Sequence, residues 1–228
     1  MTAFRPQLQI LPMAQQQLWS SLAVLRQVGF VLYGGTAIAL RYGHRISVDF
    51  DFFTSKPLDR SALVRELPWL LQADVLQDQP ETLTVLSPST EDQPPVKVSW
   101  FGGLSFGRVC DPDLSSDEVA LVASPLDLLA TKLKVVLQRA EKKDYADVAQ
   151  LLQAGLRLED GLAAARALYG TGFPVNECLK ALVYFADGDV NELPSPARQQ
   201  LEQAVLSLQT IPEPPAKVLN LSTETEQS

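Results

Sequence analysis

Apolar and polar positions along the chain fall into two rhythms. Within residues 13–27, Leu18, Leu22 and Leu25 recur at spacings of four and three, which predicts an amphipathic helix, and Gly29 is a candidate stop. Phe30-Val31-Leu32-Tyr33 is a short apolar run of the kind that forms a buried strand, and it leads directly into Gly34-Gly35-Thr36. Ala37-Ile38-Ala39-Leu40-Arg41 then has helix-forming composition. From Ser47 to Phe53 the residues alternate between polar or acidic and apolar until the last, the period of a strand with one solvated face. Asp49 and Asp51 are therefore expected to point the same way.

Farther on, residues 59–71 predict a helix, and residues 82–86 and 96–101 predict strands separated by the turn at Pro94 and Pro95. From Ser124 the pattern changes. Ser124-Pro125 reads as a cap followed by a first helical residue, and residues 126–152 continue as a long helical pattern that Asp144 divides in two. Further helices are expected over residues 159–169, 176–186 and 196–208. The organisation predicted is an α+β unit over residues 1–118, a helical lobe over 119–211, and a Pro-, Thr- and Glu-rich tail over 212–228 expected to be disordered.

Composition narrows the chemistry. With 46% hydrophobic residues in 228, the chain can bury a substantial core. Its formal charge of −8 argues against broad, non-specific nucleic-acid binding and leaves only a local basic patch for that purpose. A single histidine, His44, excludes the common zinc sites, so a bound metal is expected to be a hard cation on oxygen ligands. Two cysteines, no leader-like opening segment and no apolar run near the ~20 residues of a membrane span lead to the expectation of a cytoplasmic protein without membrane contact.

The order strand, Gly34-Gly35-Thr36, helix, Asp49-x-Asp51 strand is the informative feature. Glycines let backbone approach phosphate oxygens, a helix N-terminus offers unpaired N–H groups, and the Thr36 hydroxyl adds a donor. Two carboxylates at i and i+2 on one strand face are close enough to hold Mg²⁺ or Mn²⁺, the ions that phosphoryl transfer uses to bridge phosphates. Alone, a Gly-Gly pair is a turn and an Asp-x-Asp an exposed strand; together, in this order, they favour a nucleotide site. Arg45 and Ser47, just before the metal strand, suit phosphate or base contacts, whereas His44 reads as a hydrogen-bonded loop residue.

Tyr33-Gly34-Gly35-Thr36-Ala37 and the run from His44 to Phe53 resemble the signature of the AbiEii/AbiGii-type nucleotidyltransferase toxin family, within the polymerase-β-like superfamily. Pro125 to Lys132, Arg139, and Lys143-Asp144-Tyr145-Ala146-Asp147 resemble that family's second, helical motif. On a continuous helix Lys132, Arg139 and Lys143 fall within about 40° of one another and form one basic stripe. By itself that stripe reads as a solvated face ion-paired to Asp144 and Asp147; the resemblance makes it functional instead.

The resemblance implies a mixed sheet flanked by helices, a C-terminal helical lobe, and a metal-dependent transferase that uses a nucleoside triphosphate such as ATP. Asp49 and Asp51 are then metal ligands and catalytic, Lys132 and Asp147 catalytic as well, and Gly34, Gly35, Thr36, Arg45, Ser47, Arg139 and Lys143 nucleotide-binding. Ser99 falls where a third carboxylate is expected, which leaves Asp147, solvent or the acceptor itself to take the acceptor proton. The acceptor expected is RNA or protein, with a separately encoded antitoxin as partner. The alternatives are a transferase for a small, antibiotic-type acceptor and a catalytically degenerate nucleotide-binding module.

Overall fold

The computed structural model describes residues 3–89 and 93–223. The chain divides into two compact units, one made of Met1–Gly107, Asp111–Ala123 and Leu219–Ser228, the other of Arg108–Cys110 and Ser124–Val218. The expected disordered tail lies outside the described residues from 224 onward. Of its described part, Leu221 and Ser222 are buried.

The first unit is built on a mixed sheet of eight described strands. They are β1 (Ala3–Phe4), β2 (Val31–Tyr33), β3 (Asp49–Phe53), β4 (Asp74–Gln79), β5 (Thr82–Leu86), β6 (Lys97–Phe101), β7 (Asp113–Ser115) and β8 (Leu121–Val122), in spatial order β1-β7-β8-β2-β3-β6-β5-β4. β3 is central, antiparallel to β2 and parallel to β6. Its alternation places Phe50 and Phe52 in the core at 0% and 1% exposure, and leaves Asp49 and Asp51 half-buried on the opposite face. Trp19 stacks on Phe50 from the core side, while on the aspartate side Tyr33 stacks on Phe53 at 4.7 Å between ring centres.

Helix α1 covers Met13–Trp19 and tightens into 3₁₀ turns over Ser20–Arg26, where Leu22 and Leu25 are buried. The helix predicted over 13–27 is thus helical over 13–26 in two windings. Helix α2 covers Gly34–Tyr42 and starts at the glycines themselves, so the predicted turn is the first turn of the helix. Near its other end Arg41 binds Asp113 at 2.9 Å and donates to the carbonyls of Val122 and Ala123, which fastens the helix to β7 and β8. Helix α3 (Arg60–Glu66) is capped by the Asp59 carboxylate, which accepts from the Ala62 N–H.

The second unit is helical: α4 (Pro125–Val135), α5 (Lys142–Gln153), α6 (Leu158–Tyr169), α7 (Val175–Leu182) and α8 (Ser195–Leu206). Ser124 caps α4 by accepting from the Asp127 N–H, and its hydroxyl donates to the Asp127 carboxylate. Asp127 also accepts from the N–H groups of Val109 and Cys110. Burial pushes its carboxyl above the ordinary range, against the pull of these hydrogen bonds. Gly161 lets α6 lie on α4, since a Cβ there would sit 2.5 Å from a Leu129 methyl.

The long pattern over 126–152 is interrupted at residues 136–141, before Asp144. Local propensity does not explain the break, because Val136-Leu137-Gln138-Arg139-Ala140-Glu141 would serve in a helix. Tertiary contacts do. The Lys142 N–H donates to Asp189, and Gly188 approaches the Ala140 carbonyl so closely that a Cβ would lie 2.1 Å from it. The single stripe drawn on a continuous helix is corrected accordingly: Lys132 lies on α4, Arg139 in the connection and Lys143 on α5.

Candidate active site

In the first unit, the N-terminus of α2 and the acidic face of β3 are brought together by the antiparallel pairing of β2 with β3, which sets Tyr33 beside Asp51. Gly34 takes φ +74°, a conformation that L side chains rarely adopt. A Cβ built on it would lie 2.5 Å from Asp51 Oδ2. A Cβ on Gly35 would lie 2.3 Å from an Arg45 guanidinium nitrogen and 3.0 Å from Ser47 Oγ. Both glycines therefore exist to let neighbouring polar side chains reach the backbone of the helix start.

Thr36 is buried; its hydroxyl donates to the Asp49 carbonyl and shares a hydrogen bond with Ser47 Oγ at 2.9 Å, which ties the first turn of α2 to the entrance of β3. Arg45 also donates to the Ile46 carbonyl at 3.0 Å. Seven residues singled out in the sequence, Gly34, Gly35, Thr36, Arg45, Ser47, Asp49 and Asp51, thus form one neighbourhood.

Sequence reasoning missed one member. Lys97 on β6 pairs in register with Asp49, and its Nζ lies 3.0 Å from Asp49 Oδ2. Two residues along, Ser99 stands beside Asp51 and receives a hydrogen bond from Thr84 at 3.2 Å. Among the described residues no third His, Cys, Asp or Glu joins the pair in a group that could hold a metal ion. Two carboxylates on one strand face nevertheless fit a hard divalent cation that completes its shell with phosphate and water oxygens.

The second motif gathers in the other unit. Lys132, only 6% exposed, places Nζ 2.6 Å from Asp144 Oδ1 and 2.7 Å from Asp147 Oδ2. Both carboxylates have no exposed side-chain surface. Arg139 donates to Asp144 at 2.7 Å and also approaches Glu141, which pairs with Lys143 at 2.8 Å. Burial works to raise the Asp144 carboxyl, but the Arg139 hydrogen bond and the Lys132 charge outweigh it and hold the group below the ordinary carboxylate range. The reading of Lys132 on a solvated face is overturned: the ion pairs exist, and they are buried.

A family model described as "Nucleotidyl transferase AbiEii toxin, Type IV TA system" matches residues 22–216, a span that contains both groups of residues. The chain belongs to this AbiEii family. It is a nucleotidyltransferase, and its family is one of toxins. An uncharacterised protein of Aquifex aeolicus is 31% identical over 179 residues, covering 76% of this chain and 83% of that protein. Among solved structures, a putative nucleotidyltransferase from H. pylori has a TM-score of 0.56 at 16% identity, over 85% of this chain and 92% of that one. This likeness agrees with the polymerase-β-like fold expected from the sequence. MenT4, a nucleotidyltransferase toxin of Mycobacterium tuberculosis, has a TM-score of 0.44 at 16% identity, over 87% of this chain and 93% of its own. Among the described residues of this AbiEii-family chain, no helix is long and apolar enough to cross a membrane.

Proposed function

We propose that this AbiEii-family chain is a metal-dependent toxin that transfers a nucleotide from a nucleoside triphosphate to RNA or protein, and that a separately encoded antitoxin restrains it. The observation that carries the reading is the approach of Gly34 to Asp51 and of Gly35 to Arg45 and Ser47 at the start of α2. A helix start stripped of Cβ atoms, with carboxylates on one side and a guanidinium on the other, suits a metal-bound polyphosphate.

In this reading the backbone of Gly34, Gly35 and Thr36 receives phosphate oxygens, and Arg45 and Ser47 donate to them. Asp49 and Asp51 would hold Mg²⁺, which would supply charge neutralisation at the phosphates; the acceptor attacks the α-phosphorus in line, the bond from the α-phosphorus to the bridging oxygen breaks, and pyrophosphate leaves. Lys132 and Asp147, with Arg139 and Lys143, are assigned to the same reaction because the family match spans them along with the glycine turn. Asp147, buried against Lys132, keeps that lysine charged. The division into a nucleotidyltransferase core and a helical lobe is part of this proposal.

The test is direct. Purified protein is incubated with each labelled nucleoside triphosphate, Mg²⁺ and, separately, total RNA, lysate protein or small-molecule extract. Label from one nucleotide is expected on RNA or protein, and Asp51→Asn is expected to abolish it without changing the melting temperature. Label on a small molecule alone would favour an antibiotic-type acceptor, and no transfer with any nucleotide would leave a degenerate binding module.

A further inference from the structure

The family match stops at residue 216, and the chain goes on making specific contacts beyond it. Residues 208–217 lie in no helix or strand. Val218 then pairs with Arg108 through two backbone hydrogen bonds of 2.8 Å, both residues belonging to the second unit. From Leu219 the chain belongs to the first unit. There Asn220 Oδ1 accepts from the Ser55 hydroxyl at 3.0 Å and from the Ser222 N–H at 3.1 Å, and Leu221 and Ser222 are 0% and 3% exposed. Ser55 lies in the loop by which the chain leaves β3, and that loop is woven into the one that follows β6. The Thr54 N–H donates to the Phe101 carbonyl, while the N–H groups of Leu104 and Gly103 donate to the carbonyls of Thr54 and Lys56.

We infer that residues 219–222 are a clasp on the exit of β3, one that opens by itself ahead of the sheet, so that the strand carrying Asp49 and Asp51 is held at its far end by residues outside the family match. The physical argument is one of unequal local stability. β3 is paired along its length on both sides, with β2 and with β6, and cannot open unless the sheet does. Residues 219–222 lie in no strand or helix, and their docking rests on the burial of Leu221 and Ser222 and on the side-chain bonds of Asn220. Segments without a ladder open at a lower free energy than core strands. Release of the clasp frees Ser55 and loosens the woven exits of β3 and β6 while the pairing of the two strands persists. The effect on transfer rests on the reading of Asp49 and Asp51 as metal ligands; the clasp itself does not.

Hydrogen–deuterium exchange on the full chain, read by mass spectrometry across a denaturant series, tests this. In wild type the peptide carrying residues 218–223 is expected to exchange at lower denaturant than the peptide carrying β3. Leu221→Asp should raise exchange about tenfold or more in the peptides that carry Lys56, Gly103 and Leu104, and leave β3 protected. Leu219→Asp, at a position 63% exposed, should match wild type, and so should a chain ending at Thr223. A chain ending at Lys217 should exchange as Leu221→Asp does and lose about tenfold or more of the transfer rate, the scale on which a small displacement of reacting groups is felt. Unchanged exchange in Leu221→Asp, an equal gain in Leu219→Asp, a segment that opens only together with β3, or failure of the chain ending at Lys217 to fold would overturn the inference. So would an undiminished transfer rate in that chain. No transfer by wild type would overturn the proposed function and leave the clasp standing on the exchange results.

Discussion

Gly34 and Asp51 face each other so closely that a single methyl on the glycine would lie 2.5 Å from the aspartate Oδ2. The backbone of the helix start and the proposed metal ligand are therefore one object, and neither can be rebuilt without the other. Gly34→Ala is expected to cost about 1–2 kcal/mol of stability from its positive φ. Its transfer activity should fall by about 100-fold or more, because Asp51 must swing aside. Gly155→Ala is the control: φ is +99° there and nothing lies within 4 Å of the added Cβ. Similar melting shifts in both variants, with activity lost only in Gly34→Ala, are the outcome to look for; equal activities would detach Asp51 from the turn.

Gly35→Ala probes the other wall. The added Cβ would displace Arg45 and press on Ser47, so the affinity for nucleoside triphosphate is expected to fall by about tenfold or more while the fold persists. Equilibrium titration with a labelled nucleotide measures this. Unchanged affinity would remove Arg45 from the phosphate contacts.

Lys132 is expected to be structural as well as catalytic. Its removal leaves Asp144 and Asp147 buried without their shared cation, so Lys132→Ala should lose about 3–5 kcal/mol of stability. Lys134 places Nζ 5.8 Å from the centre of the Tyr169 ring, with no ion pair among the described residues, and Lys134→Ala should cost no more than about 1 kcal/mol. Denaturant melts of the two variants, with the Lys132→Ala, Asp144→Asn double variant as a partial rescue, separate network from charge count. Equal melts would mean the buried pairs contribute nothing.

The same network predicts an acid limit. Asp144 has its carboxyl held below its unfolded value, so its contribution to stability is complete above the unfolded pKa of about 4 and is lost as pH falls through the lower, folded value. Wild type should therefore lose stability on acidification below about pH 4 more steeply than Asp144→Asn. Melting temperatures across that range check it; parallel curves would exclude Asp144 as a source of acid sensitivity.

Much of the first unit was legible because its signals are local. The alternation in β3 and the glycines after β2 announce themselves within a few residues, and the pairing that brings Gly34 to Asp51 follows from their nearness in sequence. Other features depend on distant partners. β1, β7 and β8 are two or three residues long and carry no period. β4, Asp-Val-Leu-Gln-Asp-Gln, is exposed at every position and shows no alternation, because it pairs only with β5 at the sheet edge. Lys97 was missed for the same reason. Its meeting with Asp49 depends on the register of two parallel strands, which no spacing in the chain reveals. The interruption after α4 was placed too late because the contacts of Asp189 and Gly188 decide it, not the residues of the helix.

The alternation of β3 has a consequence for how this protein can change. Phe50 and Phe52 anchor the strand from one side while Asp49 and Asp51 occupy the other, so inheritance can edit the two faces independently. On the proposed reading, replacing either aspartate with a residue that holds no metal would disarm the molecule and leave its architecture whole. Replacing either phenylalanine with a small or polar residue would open the core and cost the fold as well.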